Sequence, residues 1–372
     1  MKIPYIKGKV TKQAHVDIPS GLHEEEYGRN GFFGGYAHFY RTEPPVGWTR
    51  IEGDLRPQAF DFSELGFLGS ETSCFSKRRS CLYNSDVKMS FLRTSGSMAE
   101  FFRNADADEI YFVHEGGGIL ESEFGPVGYR KGDYLVVPRG IAYRFHADAE
   151  SKFIVFESYS EPGFPEKGML GEHALIDPAV IEVPEPEGLA AFRDKDQRNE
   201  YEVQVLRGGK ITKIYYPFYP LNSVGWKGTA TVMRFNVSDI RPISSERYHL
   251  PPSAHSTFVA NNFVICTFLP RPLETGDPGA LKVPYYHSNI DFDEVLFYHE
   301  GEFFSRTGIK PGMMTFHPQG IHHGPQKEAI ERSKDAERTN EVAVMLDTKR
   351  PLFVAEELND FEWKDYWKSW QE

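Results

Sequence analysis

The run from Pro284 to Pro325 concentrates the residue types that hold metal ions. Five of the chain's 13 histidines lie in it (His287, His299, His317, His322 and His323), with Asp291, Asp293, Glu294, Glu300 and Glu302 between the first and the last. Imidazole and carboxylate together suit iron, manganese or zinc, and a thiolate-poor site disfavours copper(I) and iron–sulfur clusters. The expected centre has two histidines and one carboxylate. On an octahedral ion that set leaves positions open for a chelating substrate and O2.

Two copies of one pattern position these residues. Asn104-x-Asp106-x-Asp108-Glu109-Ile110-x-Phe112-x-His114-Glu115-Gly116 recurs as Asn289-x-Asp291-x-Asp293-Glu294-Val295-x-Phe297-x-His299-Glu300-Gly301, 185 residues on. Lys131-Gly132-x5-Pro138-x-Gly140-Ile141 recurs as Pro311-Gly312-x5-Pro318-x-Gly320-Ile321, 180 residues on. Two blocks repeated in order mark an internal duplication. Each copy reads as a strand, an E-x6-G turn, further strands and a G-x5-P-x-G corner. That pattern resembles the two motifs of the cupin superfamily, small antiparallel jelly-roll barrels. The expected fold is mainly β, a double jelly-roll (bicupin) of two cupin barrels with a short C-terminal helix.

The duplication serves as an internal control. At the same offsets His287 corresponds to Phe102 and His323 to Tyr143, whereas Glu294 corresponds to Glu109. The first copy has lost both imidazoles and is expected to be metal-free. His299 and Glu300 recur as His114 and Glu115, which marks them as turn residues. The metal ligands are therefore expected to be His287, Glu294 and His323. Neighbours on a strand face opposite ways, so Asp293 competes with Glu294; counting back from Gly301 favours Glu294 without excluding Asp293. The spacing P-x-G-x-x-H from Pro318 selects His323 and turns His322 away. His317 shares strand parity with His323 and could line the cavity mouth.

The totals bound the rest. With 372 residues, 33 Gly, 25 Pro and 14% aromatic residues, the chain is expected to be rich in short strands and turns. A formal charge of −12 argues against nucleic acid or an anionic membrane as the main partner. Three cysteines (Cys74, Cys81 and Cys266) give no disulfide framework. There is no apolar signal core and no run of 18 apolar residues; a cytoplasmic protein is expected. Composition shifts suggest a degenerate N-terminal cupin over 1–165 with an irregular leading segment, and a linker over 166–200. A metal-binding cupin over 201–350 and a helix over 351–372 complete the division. Leu358, Phe361, Tyr366 and Trp370 approximate the helix's buried face.

The second half resembles the homogentisate 1,2-dioxygenase family. The resemblance rests on Gly225-Trp226-Lys227-Gly228, Tyr248-His249-Leu250-Pro251-Pro252-Ser253 and Pro284-Tyr285-Tyr286-His287-Ser288-Asn289 with Glu294. It continues through Phe316-His317, His322-His323-Gly324-Pro325 and Val344-Met345-Leu346-Asp347. The resemblance implies a non-haem Fe(II) enzyme that opens the ring of a para-dihydroxylated aromatic acid with O2. It implies His287, Glu294 and His323 as iron ligands, His249 as the base, and His317, Phe303 and His323 at the substrate. It also implies a homo-oligomer, a trimer or a hexamer. Two departures stand out. The interval from His287 to Glu294 is one residue longer than the family's. Phe303 stands where the family has a substrate-contacting Tyr, so a donor is missing and substrate preference is the property most exposed to change. Rival expectations are the same chemistry on another aromatic acid such as gentisate, a non-catalytic metal-binding bicupin, and a metal-dependent isomerase.

Overall fold

The computed structural model describes residues 10–63, 78–289, 291–303 and 305–371. Cys74 lies outside these, and Cys81 and Cys266 are free and buried. The chain divides into two compact units, each discontinuous in sequence. One holds Met1–Glu64, Pro242–Leu352 and Leu358–Glu372; the other holds Leu65–Arg241 and Phe353–Glu357. No helix among the described residues is long and apolar enough to cross a membrane.

The unit containing Leu65–Arg241 is a mainly antiparallel β structure. Its long strand Ala142–Ser158 pairs with Val87–Ser97, with Asp108–Glu115 and with Gly117–Ser122. Aromatic residues fill the interior, among them Phe102, Tyr111, Tyr143, Phe145 and Phe153. The strand Tyr201–Arg207 joins this unit by parallel pairing with Phe101–Asn104, and Met233–Asn236 pairs with Asp133–Val137. The expected division at 166–200 is therefore corrected. The Pro-rich run is followed by three strands that extend the first unit's sheet, Tyr201–Arg207, Lys210–Tyr216 and Met233–Asn236, their backbone groups pairing with edges that would otherwise be left open.

The other unit carries the second copy. Its six-stranded sheet runs Ser256–Ala260, Phe263–Phe268, Asn340–Thr348, Asp293–Glu302, Met313–His317 and Gln58–Asp61 in spatial order. A three-stranded sheet places His23–Gly28 between Tyr36–Arg41 and Tyr286–Asn289. Residues 10–63 thus belong with the second copy rather than with the degenerate one. Instead of one closing helix, the C-terminal residues form two 3-10 helices, Glu356–Phe361 and Tyr366–Trp370. Between them the Trp363 amide donates to the Ala59 carbonyl at 2.8 Å, which takes the backbone out of a continuous helical ladder. Leu358, Phe361, Tyr366 and Trp370 are all buried, as their spacing suggests.

The two copies share register as well as motif. Phe102 pairs with Tyr143, and the corresponding His287 pairs with His323 across an isolated antiparallel bridge. The turn glycines are steric requirements. Gly301 has φ +96°, and a Cβ there would lie 1.7 Å from the Asn340 carbonyl oxygen; Gly116, at φ +90°, would meet Ser151 Oγ at 2.4 Å.

In the first copy a guanidinium sits beside the carboxylate that both copies share. Arg78 Nη2 lies 2.5 Å from Glu109 Oε1, and its guanidinium covers the Phe102 ring at 5.0 Å. The Tyr143 hydroxyl donates to the same carboxylate, and Asn104 Nδ2 donates to it at 3.0 Å. Burial pushes the Glu109 carboxyl up, and Arg78 counters that. Replacing Arg78 strands a buried charge. Arg78→Leu should cost about 3–5 kcal/mol in chemical denaturation, and the double variant Arg78→Leu/Glu109→Gln should lose less than the single.

Candidate metal centre

His287, Glu294 and His323 converge, each offering one ligand atom, with all three atoms within 4.8 Å of one another. His287 lies on Tyr286–Asn289, where its Nδ1–H donates to the Tyr285 carbonyl at 3.1 Å. That bond leaves Nε2 as the free nitrogen, 3.7 Å from Glu294 Oε2. His323 follows the Pro318-Gln319-Gly320 turn, with Nε2 at 3.4 Å from the same oxygen. The two imidazole rings meet edge-on at 4.5 Å between centroids.

Asp293 points the other way, as strand alternation requires. Its carboxylate accepts the Gln319 amide at 2.7 Å and the Leu352 amide at 2.6 Å. The first copy repeats this use, since Asp108 accepts the Arg139 amide at 2.9 Å. Asp293 therefore braces the turn and stands apart from the three converging groups. His322 also points away and donates to Glu25. His299 and its counterpart His114 are both buried beside their own turn carboxylates, at 3.9 and 3.8 Å.

His317 takes a different place from the one expected. Its Nδ1 lies 2.8 Å from Glu294 Oε1 and its Nε2 lies 3.1 Å from the Tyr366 hydroxyl. It is absent from the cavity wall described below and orients the carboxylate instead. Its counterpart in the first copy is Val137, paired with Glu109 as His317 is with Glu294.

The protonation states suit a metal. Burial opposes ionisation of Glu294, but His323, His287 and His317 outweigh it and hold the carboxyl well below its usual range. Burial pushes the His323 imidazole down. It also pushes His317 down to about 4, with Arg306 adding to the effect. Neutral imidazoles facing an ionised carboxylate are what a divalent ion needs. His323 Nε2 is buried without a hydrogen-bond partner, which a metal ion at the convergence point would satisfy. The residues fit the group.

A cavity with about 710 Å³ of empty space, part of it open to solvent, has His287 and Glu294 in its wall, together with His249, Tyr285, Arg271 and Arg306. His249 Nδ1 lies 3.3 Å from Glu274 Oε1, and its Nε2 is buried with no partner. Burial pushes this imidazole below its ordinary value, Glu274 partly offsetting that. Phe303 is buried against Tyr298, with ring centroids 4.7 Å apart, and is not among the described residues lining the cavity. Arg271 and Arg306 carry no motif that would have exposed them in the sequence. They are brought inside by distant segments: Arg271 Nη1 lies 3.8 Å from Glu341, and Arg306 covers the Trp370 ring at 5.6 Å.

Repeated antiparallel units, one with an Arg-compensated carboxylate and one with two histidines and a carboxylate opening on a cavity, define a bicupin whose second copy carries a candidate metal-binding group. Two domain models match this chain, described as Homogentisate 1,2-dioxygenase N-terminal over residues 75–237 and Homogentisate 1,2-dioxygenase C-terminal over 249–372. The chain belongs to the homogentisate 1,2-dioxygenase family. A Saccharolobus solfataricus protein described as "Putative dioxygenase SSO1533" is 32% identical, with 98% of each chain covered. The homogentisate 1,2-dioxygenase of Bradyrhizobium diazoefficiens is 26% identical over 75% of this chain and 65% of its own length, just under two thirds. That of Nitrobacter hamburgensis is 25% identical over 90% and 77% respectively. Among solved structures, a cupin 2 conserved barrel domain protein from Leptotrichia buccalis overlaps 82% of this chain at 11% identity and TM-score 0.35.

His323→Ala should abolish metal loading, read by elemental analysis after anaerobic reconstitution. His317→Leu should keep the three converging groups but weaken affinity about 10–100-fold, read by competition with a chromophoric chelator.

Proposed function

We propose that this protein is an Fe(II)-dependent dioxygenase that opens the ring of homogentisate (2,5-dihydroxyphenylacetate) with O2 to give maleylacetoacetate, a step of tyrosine and phenylalanine catabolism. The observation that carries the reading is the convergence of His287, Glu294 and His323 at a cavity that also holds a buried histidine base and two arginines. His287, Glu294 and His323 would hold the iron. Iron bound there would supply Lewis acidity toward a substrate hydroxyl and a site for O2.

The chain's own groups do the remaining work. His249 accepts a phenolic proton at Nε2, because Glu274 occupies the Nδ1 side and its depressed basicity keeps it neutral near pH 7. Arg271 and Arg306 offer positive charge to a carboxylate in a wall that is otherwise largely apolar, with Phe268 and Met345 among its residues. The phenol of Tyr285, whose ring lies 4.2 Å from that of His249, is pushed well above its usual range by burial and by the facing Glu26. It stays protonated and can donate a hydrogen bond. Phe303 contributes apolar packing behind this wall. A cytoplasmic homo-oligomer, a trimer or hexamer, completes the proposal, with no nucleic acid or membrane partner.

The deciding experiment is homogentisate-dependent O2 consumption with added Fe(II), run beside gentisate. Uptake with gentisate alone would transfer the proposal to that acid, and turnover without O2 would replace the dioxygenase by an isomerase. Iron-loaded protein inert toward both acids would favour a binding role. His249→Ala should retain iron and slow kcat about 10²–10⁴-fold. The acid limb of the rate profile should fall below the ordinary histidine value of about 6.5, because activity is lost only when pH drops far enough to protonate a base whose pKa is depressed. An acid limb above that value would remove His249 from the role.

A further inference from the structure

A second set of potential ligands lies in the N-terminal segment, upstream of the first residue matched by the family's domain models. His15, Glu24 and His38 each present a ligand atom, all within 4.8 Å of one another. Two of them come from paired strands. His23–Gly28 and Tyr36–Arg41 run antiparallel with Glu24 opposite Tyr40 and Glu26 opposite His38, so these four alternate residues share a face. His15 is brought to that face by its own backbone, whose carbonyl accepts the Leu281 amide at 2.7 Å.

Two imidazole nitrogens of the cluster are buried without a well-aligned partner. His15 Nδ1 lies 2.7 Å from Glu24 Oε1, yet it lacks the alignment of an N–H···O bond, and this nearly fully buried nitrogen has no hydrogen-bond partner. His38 Nε2 is likewise buried and unpartnered, and the His15 and His38 rings meet edge-on at 4.8 Å. The same signature marks the first centre, where His323 Nε2 approaches Glu294 Oε2 and has no partner either. Atoms that crowd one point without a well-aligned bond to each other are arranged for a common third body.

The surroundings are those of a metal site. His15 Nε2 lies 3.4 Å from Glu26 Oε2, so one carboxylate addresses each ring nitrogen. A carboxylate on the far nitrogen fixes ring orientation in metal-bound histidines. The Glu24 carboxylate is itself held, accepting the His15 amide at 2.9 and 3.1 Å. Glu24 and Glu26 are both buried, and no arginine or lysine is hydrogen-bonded to either among the described residues. The positive charge now facing both is the His15 imidazole: burial opposes its protonation, but Glu24 and Glu26 outweigh that and push it up to about 9. A dication bound here would displace that proton and supply the charge that Arg78 supplies to Glu109 in the other unit.

We propose that His15, Glu24 and His38 form a second metal site for a divalent ion of the zinc or iron class, with Glu26 as the carboxylate that orients His15. Two imidazoles and a carboxylate select such ions over calcium or magnesium. Its place in the fold gives it a task. The strand carrying Glu24 and Glu26 pairs in parallel with Tyr286–Asn289, Glu26 standing opposite the ligand His287. The ion fastens the N-terminal segment against the strand that presents the first centre.

The test is metal stoichiometry on the full chain, stripped with chelator and reloaded with Zn(II) alone. The wild type should hold two equivalents, His38→Gln one, His323→Ala one, and the His38→Gln/His323→Ala double variant none. Co(II) loaded into His323→Ala reads the second site in a chain whose N-terminal cluster is untouched, and should give the visible absorption of a nitrogen–oxygen site. A single wild-type equivalent that vanishes in His323→Ala overturns the proposal. So does a His38→Gln protein that still holds two, or a His323→Ala protein that gives no Co(II) spectrum.

Discussion

A buried carboxylate must be met by positive charge, and each copy of this duplicated chain is arranged around that demand. Glu109 and Glu294 occupy equivalent places on equivalent strands, and both are almost fully inaccessible. Leaving either ionised and unpaired would cost several kcal/mol or more. The two copies answer differently. In one, the Arg78 guanidinium lies against Glu109, and Phe102 and Tyr143 close the space with an aromatic face and a hydroxyl. In the other, three imidazoles surround Glu294 and leave His323 Nε2 free for an exchangeable cation. A fixed guanidinium gives a stable core; a replaceable ion gives a place for chemistry.

The backbone is common to both answers. The pair Phe102 and Tyr143 and the pair His287 and His323 are cross-strand partners in the same register, and Asp108 and Asp293 brace the same turn. Side-chain identity at a few inward positions therefore separates an Arg-filled barrel from one with a candidate metal-binding group. His317 belongs to this set. Its counterpart Val137 only packs, whereas His317 links Glu294 to Tyr366 and so ties the carboxylate to the C-terminal segment.

Local spacing made much of this legible. The repeated E-x6-G and P-x-G signals located the turns, because a carbonyl oxygen stands where a Cβ would be at Gly301. Strand parity then chose the inward residues. Parity also misled: it put His317 on the inward face, where it belongs, but could not show that Glu294 and Tyr366 already fill that side. The run Glu24-Glu25-Glu26 carries no spacing signal of this kind. Three adjacent acids look like a solvated edge, yet all three are buried. The reason is a parallel pairing between residues some 260 positions apart, Glu26 with His287, and nothing local announces it. Arg271 and Arg306 likewise meet partners from other segments, Glu341 and Trp370.

That parallel strand bears directly on which histidine faces inward. His322 and His323 are adjacent, so fixing one outward turns the other inward. His322 is fixed by Glu25, whose second oxygen takes Arg41 at 2.6 Å, an ion pair between two N-terminal strands. Burial opposes the charge on Glu25, and His322 and Arg41 together hold it ionised. Its neighbours Glu24 and Glu26, on the opposite face of the same strand, attend to His15. One short strand thus uses alternate carboxylates in two directions, and Glu25 keeps His322 from competing with His323 for the inward position. The N-terminal segment therefore helps to set the side-chain arrangement around Glu294, although none of its residues lines the cavity among those described.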